Sequence, residues 1–300
     1  MSRISNVIKA MQGWNTFNPK ASTQPNGQYM HKVIIEFDGD TTTKGVKFED
    51  GDLDLEFNVP FNDDLEVDEA EIVIYNLTDS TIGHIKYNHG VTITAGYGND
   101  LGIIFKGRVS KVKTSWNGLD KVTTVYALDS DDLEEKDIAE IAFSENTKAS
   151  TILKSLLDKT NLPVAAFNPQ NDHVYEDSVT VSGGLLENIK KYSDECEVST
   201  FINKGKIYSQ PINKGNTVGF TLTEDTGLIG SPTAGVEETN IESGTKVTNY
   251  LEVEMLLQHR VTTGVQIKVA SRQHNITGRV IEGEHSYNGI DFVTKAKVVF

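Results

Sequence analysis

Apolar residues fall on every second position along much of the first 130 residues. The alternation is clear in residues 53–59 and 91–97, where acidic, amide or threonine side chains occupy most of the positions between. A period of two predicts strands with one buried face. An Asn117-Gly118 pair between two further apolar runs predicts a hairpin, and Gly107 in the first of these runs predicts a bulge or bend.

One predicted strand is apolar on both of its faces. It contains Ile72, Val73, Ile74, Tyr75 and Leu77. A strand of this kind is buried on both sides, either inside one chain or between two subunits. The pattern leaves both alternatives open.

Helical spacing replaces the alternation after residue 129. Residues 147–160 place several apolar side chains on one face, and Thr147 is the expected N-cap. A second helix is predicted over Leu185–Glu195, and a small hairpin over 200–209. The apolar face of the first helix consists of Ala149, Ile152, Leu153, Leu156 and Leu157. Together these elements predict a compact α+β unit.

The last third of the chain begins with a glycine-rich segment and ends with strands. We expect turns from residue 213 to 235, and alternating strand patterns return from Val247 onwards. The fold class is therefore mainly β with an α+β insert, as two small antiparallel β-barrel domains flanking a helix-containing domain. The predicted division is an N-terminal extension over 1–30, a first barrel over 31–130, a middle domain over 131–235 and a second barrel over 236–300.

The N-terminal extension carries apolar residues at the spacing of a short amphipathic helix. These residues are Ile4, Val7, Ile8, Met11 and Trp14. No basic stretch leads into a long apolar run, so we expect neither a signal peptide nor a membrane span. The expected site of synthesis is the bacterial cytoplasm.

Composition adds a strong and uneven acidity. The chain has 300 residues and a formal net charge of −15, and fourteen acidic residues but only two lysines lie between residues 38 and 79. We therefore expect no specific nucleic-acid binding and no membrane insertion, because binding to phosphate groups needs clustered lysine and arginine. An acidic run usually marks a solvated face, and more rarely a surface that must not adhere to DNA.

Residues that could carry chemistry do not form a recognisable set. The single cysteine, Cys196, is flanked by acids and is expected to be a packing residue, and the seven histidines lack a metal-ligand spacing. Nucleophile-elbow, P-loop and dinucleotide motifs do not occur. Asp50-Gly51-Asp52 resembles part of a calcium loop but lacks its later ligands. We therefore predict no catalytic, cofactor-binding or metal-binding residues, no cofactor and no enzymatic activity.

Four segments in order resemble a known family. They are residues 57–61, 68–78 with its Ile-Tyr-Asn-Leu-Thr ending, 90–97 with Ala-Gly-Tyr, and 104–109 with Ile-Phe-Lys-Gly-Arg-Val. Together they resemble the first barrel of phage tail baseplate hub proteins, the contractile-phage hub or late control protein D-like family. The later segments resemble the middle domain and second barrel of that family more loosely.

The resemblance implies a structural component of the virion tail tip, or of a phage-like particle. The resemblance also implies a homotrimer, in which two barrels per subunit make a pseudo-sixfold ring. The ring would join the tail tube or distal tail protein to a spike or tip protein. The tape-measure protein and DNA would leave through its channel, and no active site is carried over.

Two sets of site residues follow from this expectation. The strand that is apolar on both faces (Ile72, Val73, Ile74, Tyr75 and Leu77) would suit a subunit interface. Part of the acidic run would face the channel, where like charge keeps DNA from adhering. The predicted channel-facing residues are Asp50, Asp52, Asp54, Glu56, Asp63 and Asp64.

Other functions remain open at this point. A distal tail or tube-initiator protein would form a hexamer instead of a trimer. A carbohydrate-binding module that recognises a cell surface would be expected to expose clustered aromatic residues, but Trp14 and Trp116 lie far apart in the sequence. A cell-wall hydrolase is a further alternative. Muralytic activity that is lost on mutation of one acidic residue would establish it.

Overall fold

The N-terminal region consists of strands, as the alternation predicts. A computed structural model describes residues 31–49, 51–130, 136–211, 215–241 and 244–300. The helix predicted between Ile4 and Trp14 lies outside these residues. The elements of this region are β1 (His31–Phe37), β2 (Val46–Glu49), β3 (Leu55–Phe61), β4 (Glu69–Tyr75), α1 (Asp79–Ile82), β5 (Gly90–Tyr97), β6 (Asp100–Asn117) and β7 (Asp120–Leu128).

The predicted hairpin is confirmed, with a different turn. Gly118 and Leu119 form the loop, and Gly118 has φ +62°, as the first position of a type II′ turn requires. The bulge expected at Gly107 is not there, because Gly107 pairs in register with Val91 and the register shifts lie on either side of it. A Cβ at Gly107 would lie 2.1 Å from the Leu128 carbonyl oxygen, so close strand approach explains this glycine.

The middle region is the predicted α+β unit, and its second helix has the predicted bounds. Its elements are β8 (Asp137–Phe143), β9 (Thr147–Lys148), α2 (Ala149–Lys159), β10 (Val164–Phe167), β11 (Val174–Tyr175), β12 (Val179–Gly184), α3 (Leu185–Glu195), β13 (Val198–Asn203) and β14 (Lys206–Pro211). All five residues of the predicted apolar face of α2 are buried. Cys196 lies in the same core, as expected of a packing residue.

The N-cap of α2 differs from the prediction. Thr147 belongs to β9, and Lys148 occupies the cap position without a side-chain hydrogen bond. The Asp172 carboxylate accepts a hydrogen bond from the Ser150 backbone N–H at 3.1 Å instead. An acceptor 22 residues away in the sequence thus satisfies one of the free N–H groups at this helix end.

The C-terminal region contains more strand than the glycine-rich pattern predicts. Its elements are β15 (Asn216–Leu222), a 3₁₀ helix (Glu224–Thr226), β16 (Leu228–Ile241), β17 (Gly244–Leu256), β18 (Val265–Ala270), β19 (Asn275–Tyr287) and β20 (Phe292–Val299). The expected turn-rich segment instead forms β15 and most of β16, with a register shift around Gly230. The predicted boundary at residue 235/236 falls inside β16, which pairs with β17 and so belongs to the C-terminal region.

The mainly β class with an α+β insert is confirmed, and the strands of the two β regions are joined in one sheet. Thirteen strands form one sheet, in the order β16-β17-β20-β19-β3-β4-β7-β6-β5-β1-β2, with β18 on β19 and β15 on β18. The join is the antiparallel pairing of β3 with β19, from Phe57 opposite Tyr287 to Phe61 opposite Gly283. No pairing between described strands closes either half into a barrel.

Two hydrophobic cores fill one face of this sheet. One core contains side chains of β1 and β3–β7, and the other contains side chains of β15–β20. The α+β unit has its own core around α2 and α3. Because the cores occupy one face, the alternate residues of every strand are directed to the other face.

Candidate functional site

The outward face of the joined sheet carries a band of glutamates. Residues paired across an antiparallel sheet share a face, so the register identifies the band. In one row across the sheet, Glu254 pairs with Lys295, which pairs with Glu284. In the next row, Glu252 pairs with Lys297, which pairs with Glu282. The band, called here the acidic face, comprises Glu252 and Glu254 of β17, Glu282 and Glu284 of β19, Glu56 of β3, and Glu69 and Glu71 of β4.

Two lysines on β20 lie among these glutamates. Lys295 Nζ lies 2.8 Å from Glu284 Oε1, and Lys297 Nζ lies 3.2 Å from Glu282 Oε1. The hydrogen bond to Glu284 raises the pKa of Lys295, so it stays charged at neutral pH. Seven carboxylates against two ammonium groups make this band negative. Its border is β6, where Arg108, Lys111 and Lys113 lie on the same outward face two strands from β4.

A concavity of about 560 Å³ lies at one end of the acidic face. We call it the acidic concavity and define it by Asp52, Asp54, Glu56 and Asp120, which line it together with Tyr75. Tyr75 Oη donates a hydrogen bond to Glu56 Oε1 at 2.9 Å, and this bond raises the pKa of Tyr75. No lysine or arginine is among the described residues that line it. The structure therefore brings together three of the predicted channel-facing acids: Asp52, Asp54 and Glu56.

The other predicted channel-facing acids are elsewhere. Asp50 lies outside the described residues. Asp63 and Asp64 line a separate groove against the α+β unit, together with Lys190 and Ser199. Burial raises the pKa of Asp64. These two acids thus belong to contacts within the chain.

Asp63 is part of a polar contact that joins all three regions of the chain. Its Oδ2 accepts a hydrogen bond from Arg279 Nη1 at 2.8 Å, and Arg279 Nη2 donates to Ser199 Oγ at 3.3 Å. The Arg279 guanidinium also lies 5.5 Å from the centre of the Phe201 ring. Arg279 is only 3% exposed, so its charge depends on Asp63 for compensation.

A second polar contact joins the first region to the last. Arg260 Nη1 donates to Asp100 Oδ2 at 2.7 Å, and His259 Nε2 lies 3.2 Å from Asp100 Oδ1. Burial raises the pKa of Asp100, but the hydrogen bonds from Arg260 and His259 outweigh burial and lower it overall. Lys204 Nζ lies 3.4 Å from the His259 carbonyl oxygen, and burial lowers the pKa of this lysine to about 8.

The residues predicted for a subunit interface divide between the two faces of β4. Ile72, Ile74 and Leu77 are buried in the core of their own chain, which accounts for their apolar character. Val73 and Tyr75 are half-buried and share the outward face with Glu56 and Glu71. A subunit contact is therefore open only to Val73 and Tyr75, for which it stays a prediction.

Two buried carboxyl groups face each other where β4 begins and β7 ends. Asp129 Oδ1 accepts a hydrogen bond from the Asp68 backbone N–H at 3.2 Å, and Asp68 Oδ1 accepts one from Asn62 at 3.0 Å. Burial raises the pKa of Asp68 to about 6. Burial, reinforced by the charge of Asp68, raises the pKa of Asp129 to about 7.

Arg279 and the glutamates of β17 and β19 were missed by the sequence reasoning. A signal for the glutamates exists, because Glu252 and Glu254 alternate with apolar residues, as do Lys295 and Lys297. No such signal marks Arg279, whose partner lies 216 positions away.

The described residues contain no group of three or more His, Cys, Asp or Glu side chains arranged to hold a metal ion. Within the same ranges, no helix has the length and apolar character needed to cross a membrane. Burial raises the pKa of the Cys196 thiol to about 11, which makes it a poor nucleophile at neutral pH.

Comparison with known families gives one match. The sequence profile of a family described as "Baseplate hub gp41" matches residues 53–273. This range includes β3, β4 and β17 with their glutamates. No curated protein sequence matches the chain.

Solved structures of tail proteins share the fold at low sequence identity. A tail protein from Neisseria meningitidis MC58 has a TM-score of 0.62 and 8% identity, over 91% of this chain and 97% of that one. The 43 kDa tail protein of prophage MuSo2 from Shewanella oneidensis has a TM-score of 0.64 and 8% identity, over 90% and 98%. The E. coli c3393 protein, a type VI secretion component, has a TM-score of 0.54 and 9% identity, over 88% and 76%.

The contact at Arg279 predicts a stability loss. Replacing Asp63 with alanine leaves a buried guanidinium without its counter-charge, so we expect the free energy of unfolding to fall by about 2–4 kcal/mol. Urea denaturation at pH 7 measures this change. Glu282→Ala is the control, because Glu282 is exposed and Lys297 keeps its second pair with Glu237, so the loss should be less than about 1 kcal/mol. Equal losses in the two variants would contradict the assignment.

The Asp68–Asp129 pair predicts a pH-dependent stability. The native pKa of Asp129 is raised above its unfolded value near 3.8, so the native state holds a proton that the unfolded state releases. Its contribution to stability is present below about pH 4 and is lost as the pH rises through about 7. Asp129→Asn stays neutral, so its stability relative to the wild type should increase by roughly 2–3 kcal/mol from pH 5 to pH 8. Denaturation midpoints at both pH values test this, and a constant difference would contradict it.

Proposed function

Since the chain belongs to the baseplate hub gp41 family, we propose that it forms a trimeric ring at the tail tip. The family is one of structural tail proteins, and the chain is a structural component of a phage-type tail. The proposed ring joins the tail tube or distal tail protein to a spike or tip protein. It also lines the channel through which the tape-measure protein and DNA leave.

The acidic face is the observation that carries this proposal. The two cores occupy one face of the joined sheet, so the acidic face has no covering element among the described parts of the chain. Seven glutamates on a solvated, continuous surface suit the wall of a water-filled channel. Duplex DNA carries one charge per about 1.7 Å of axis, so a negative wall repels it and does not retain it.

The joined sheet supports a ring in which each chain supplies two similar units. Both β regions place a core on one side of the sheet and glutamates on the other. Three chains would then place six β units around one axis. Heterologous interfaces between the chains would close the ring. Such a ring can pair with a sixfold tube on one side and a threefold spike on the other.

The native mass of the assembled chain tests the ring. The expected mass is about 99 kDa, three times the 33.1 kDa of one chain. Mass photometry or sedimentation equilibrium, on the chain alone and with its tail partners, measures it. A stable hexamer would instead favour a distal tail or tube-initiator role. A monomer under all conditions, with no binding to tail proteins, would contradict both roles.

A further inference from the structure

Two hairpin turns lie at the same end of the joined sheet. The β6–β7 turn lies beside the end of β4, because Tyr75 pairs with Val122. The β19–β20 turn lies beside the start of β3, because Tyr287 pairs with Phe57. The start of β3 and the end of β4 are themselves paired, so both turns project from one end of the sheet.

Both turns present large apolar side chains to solvent. Leu119 is 95% exposed and Ile290 is 90% exposed, the two highest values among the large hydrophobic residues described. Trp116, next to the first turn, is 71% exposed. Turn tips are usually polar, so large exposed apolar side chains on two turns at the same end of the sheet indicate a surface that contacts a partner.

Each apolar tip is held in place by its turn. The Asn288 side-chain oxygen accepts hydrogen bonds from the backbone N–H groups of Ile290 at 3.0 Å and Asp291 at 2.7 Å. Leu119 follows Gly118, whose positive φ fixes the two-residue loop. The tips are therefore pre-organised, which lowers the entropy cost of binding.

The acidic concavity lies between the two tips. It is lined by Asp120 beside the first turn, by Gly289 of the second, and by Asp52 and Asp54 before β3. About four strand spacings of roughly 4.8 Å separate the turns, so the tips are about 15–20 Å apart. The end of the sheet thus combines two exposed apolar side chains with the acidic concavity between them.

We propose that this strand-end surface, defined by Trp116, Leu119, Ile290 and the acidic concavity, docks another tail protein through a basic patch flanked by apolar sockets. The inference rests on the proposed tail-tip function and adds the location and chemistry of one contact. Charge complementarity identifies the partner's character, because four carboxylates without a lining cation attract lysine and arginine side chains. Trp116 is of a residue type that often dominates binding energy, and Leu119 and Ile290 add apolar area that a partner can bury.

A lipid surface is a different partner and is disfavoured by the same charges. Anionic headgroups would meet the four carboxylates between the tips, and this repulsion opposes insertion of Leu119 and Ile290. A protein surface with a basic patch and apolar sockets would complement both the acidic concavity and the apolar tips. Binding through this surface should also weaken as salt increases.

The test uses complete particles assembled with variant chains in place of the wild type. In Leu119→Asp/Ile290→Asp, we expect at least tenfold fewer tails with the tube and tip joined, counted by electron microscopy. Asp52→Lys/Asp54→Lys should cause a similar loss, since it reverses charge without changing the tips. Tyr87→Asp is the matched control, because Tyr87 is 78% exposed but lies at the opposite end, near the Gly90–Arg108–Leu128 row.

Folding and function are controlled separately. Circular dichroism and native mass should be unchanged in all variants, since the substituted residues are exposed. Normal joining in both double variants would overturn the docking surface while leaving the hub role intact. Absence of the wild-type chain from the tail tip would instead refute the hub role. Flotation of the wild type with phosphatidylcholine–phosphatidylglycerol vesicles, lost in Leu119→Asp/Ile290→Asp, would assign the surface to lipid and overturn the proposal.

Discussion

The pairing of β3 with β19 is the interaction on which the rest of the structure depends. It joins strands more than 200 residues apart into one sheet and aligns the outward faces of the two β regions. Gly283 at this seam has no room for a side chain, because a Cβ would lie 2.2 Å from the Lys295 carbonyl oxygen and 2.6 Å from the Phe61 ring. Arg279, four residues earlier on β19, connects the same seam to the α+β unit through Asp63 and Ser199.

The acidic face follows from this seam and from ordinary burial. Both cores lie on one side of the sheet, so the polar residues of alternating strands are on the other. Glutamates that are separate in the sequence become one surface only when β3 pairs with β19. Asp63 differs from Asp52, Asp54 and Glu56 in the same acidic run, because its carboxylate compensates the charge of the buried Arg279.

The sequence predicts the local elements and fails where distant segments meet. The periodicity identifies α2, α3 and the β6–β7 hairpin, because their patterns depend on near neighbours. The glycine-rich segment hides β15 and β16, since its glycines accommodate register shifts that leave no alternation. The joined sheet and the Arg279 contact are not visible in one sequence. Of the candidate channel acids, Asp52, Asp54 and Glu56 are found together, and Asp63 and Asp64 are not.

An electron cryomicroscopy map of the assembled tail tip tests the central claim most directly. We predict three copies around the axis, with the seven glutamates of the acidic face directed into the lumen. The side-chain positions of Glu254 and Glu284 on β17 and β19, and of Glu71 on β4, decide the orientation of the sheet. A ring in which these residues lie on the outer surface of the particle would contradict the claim.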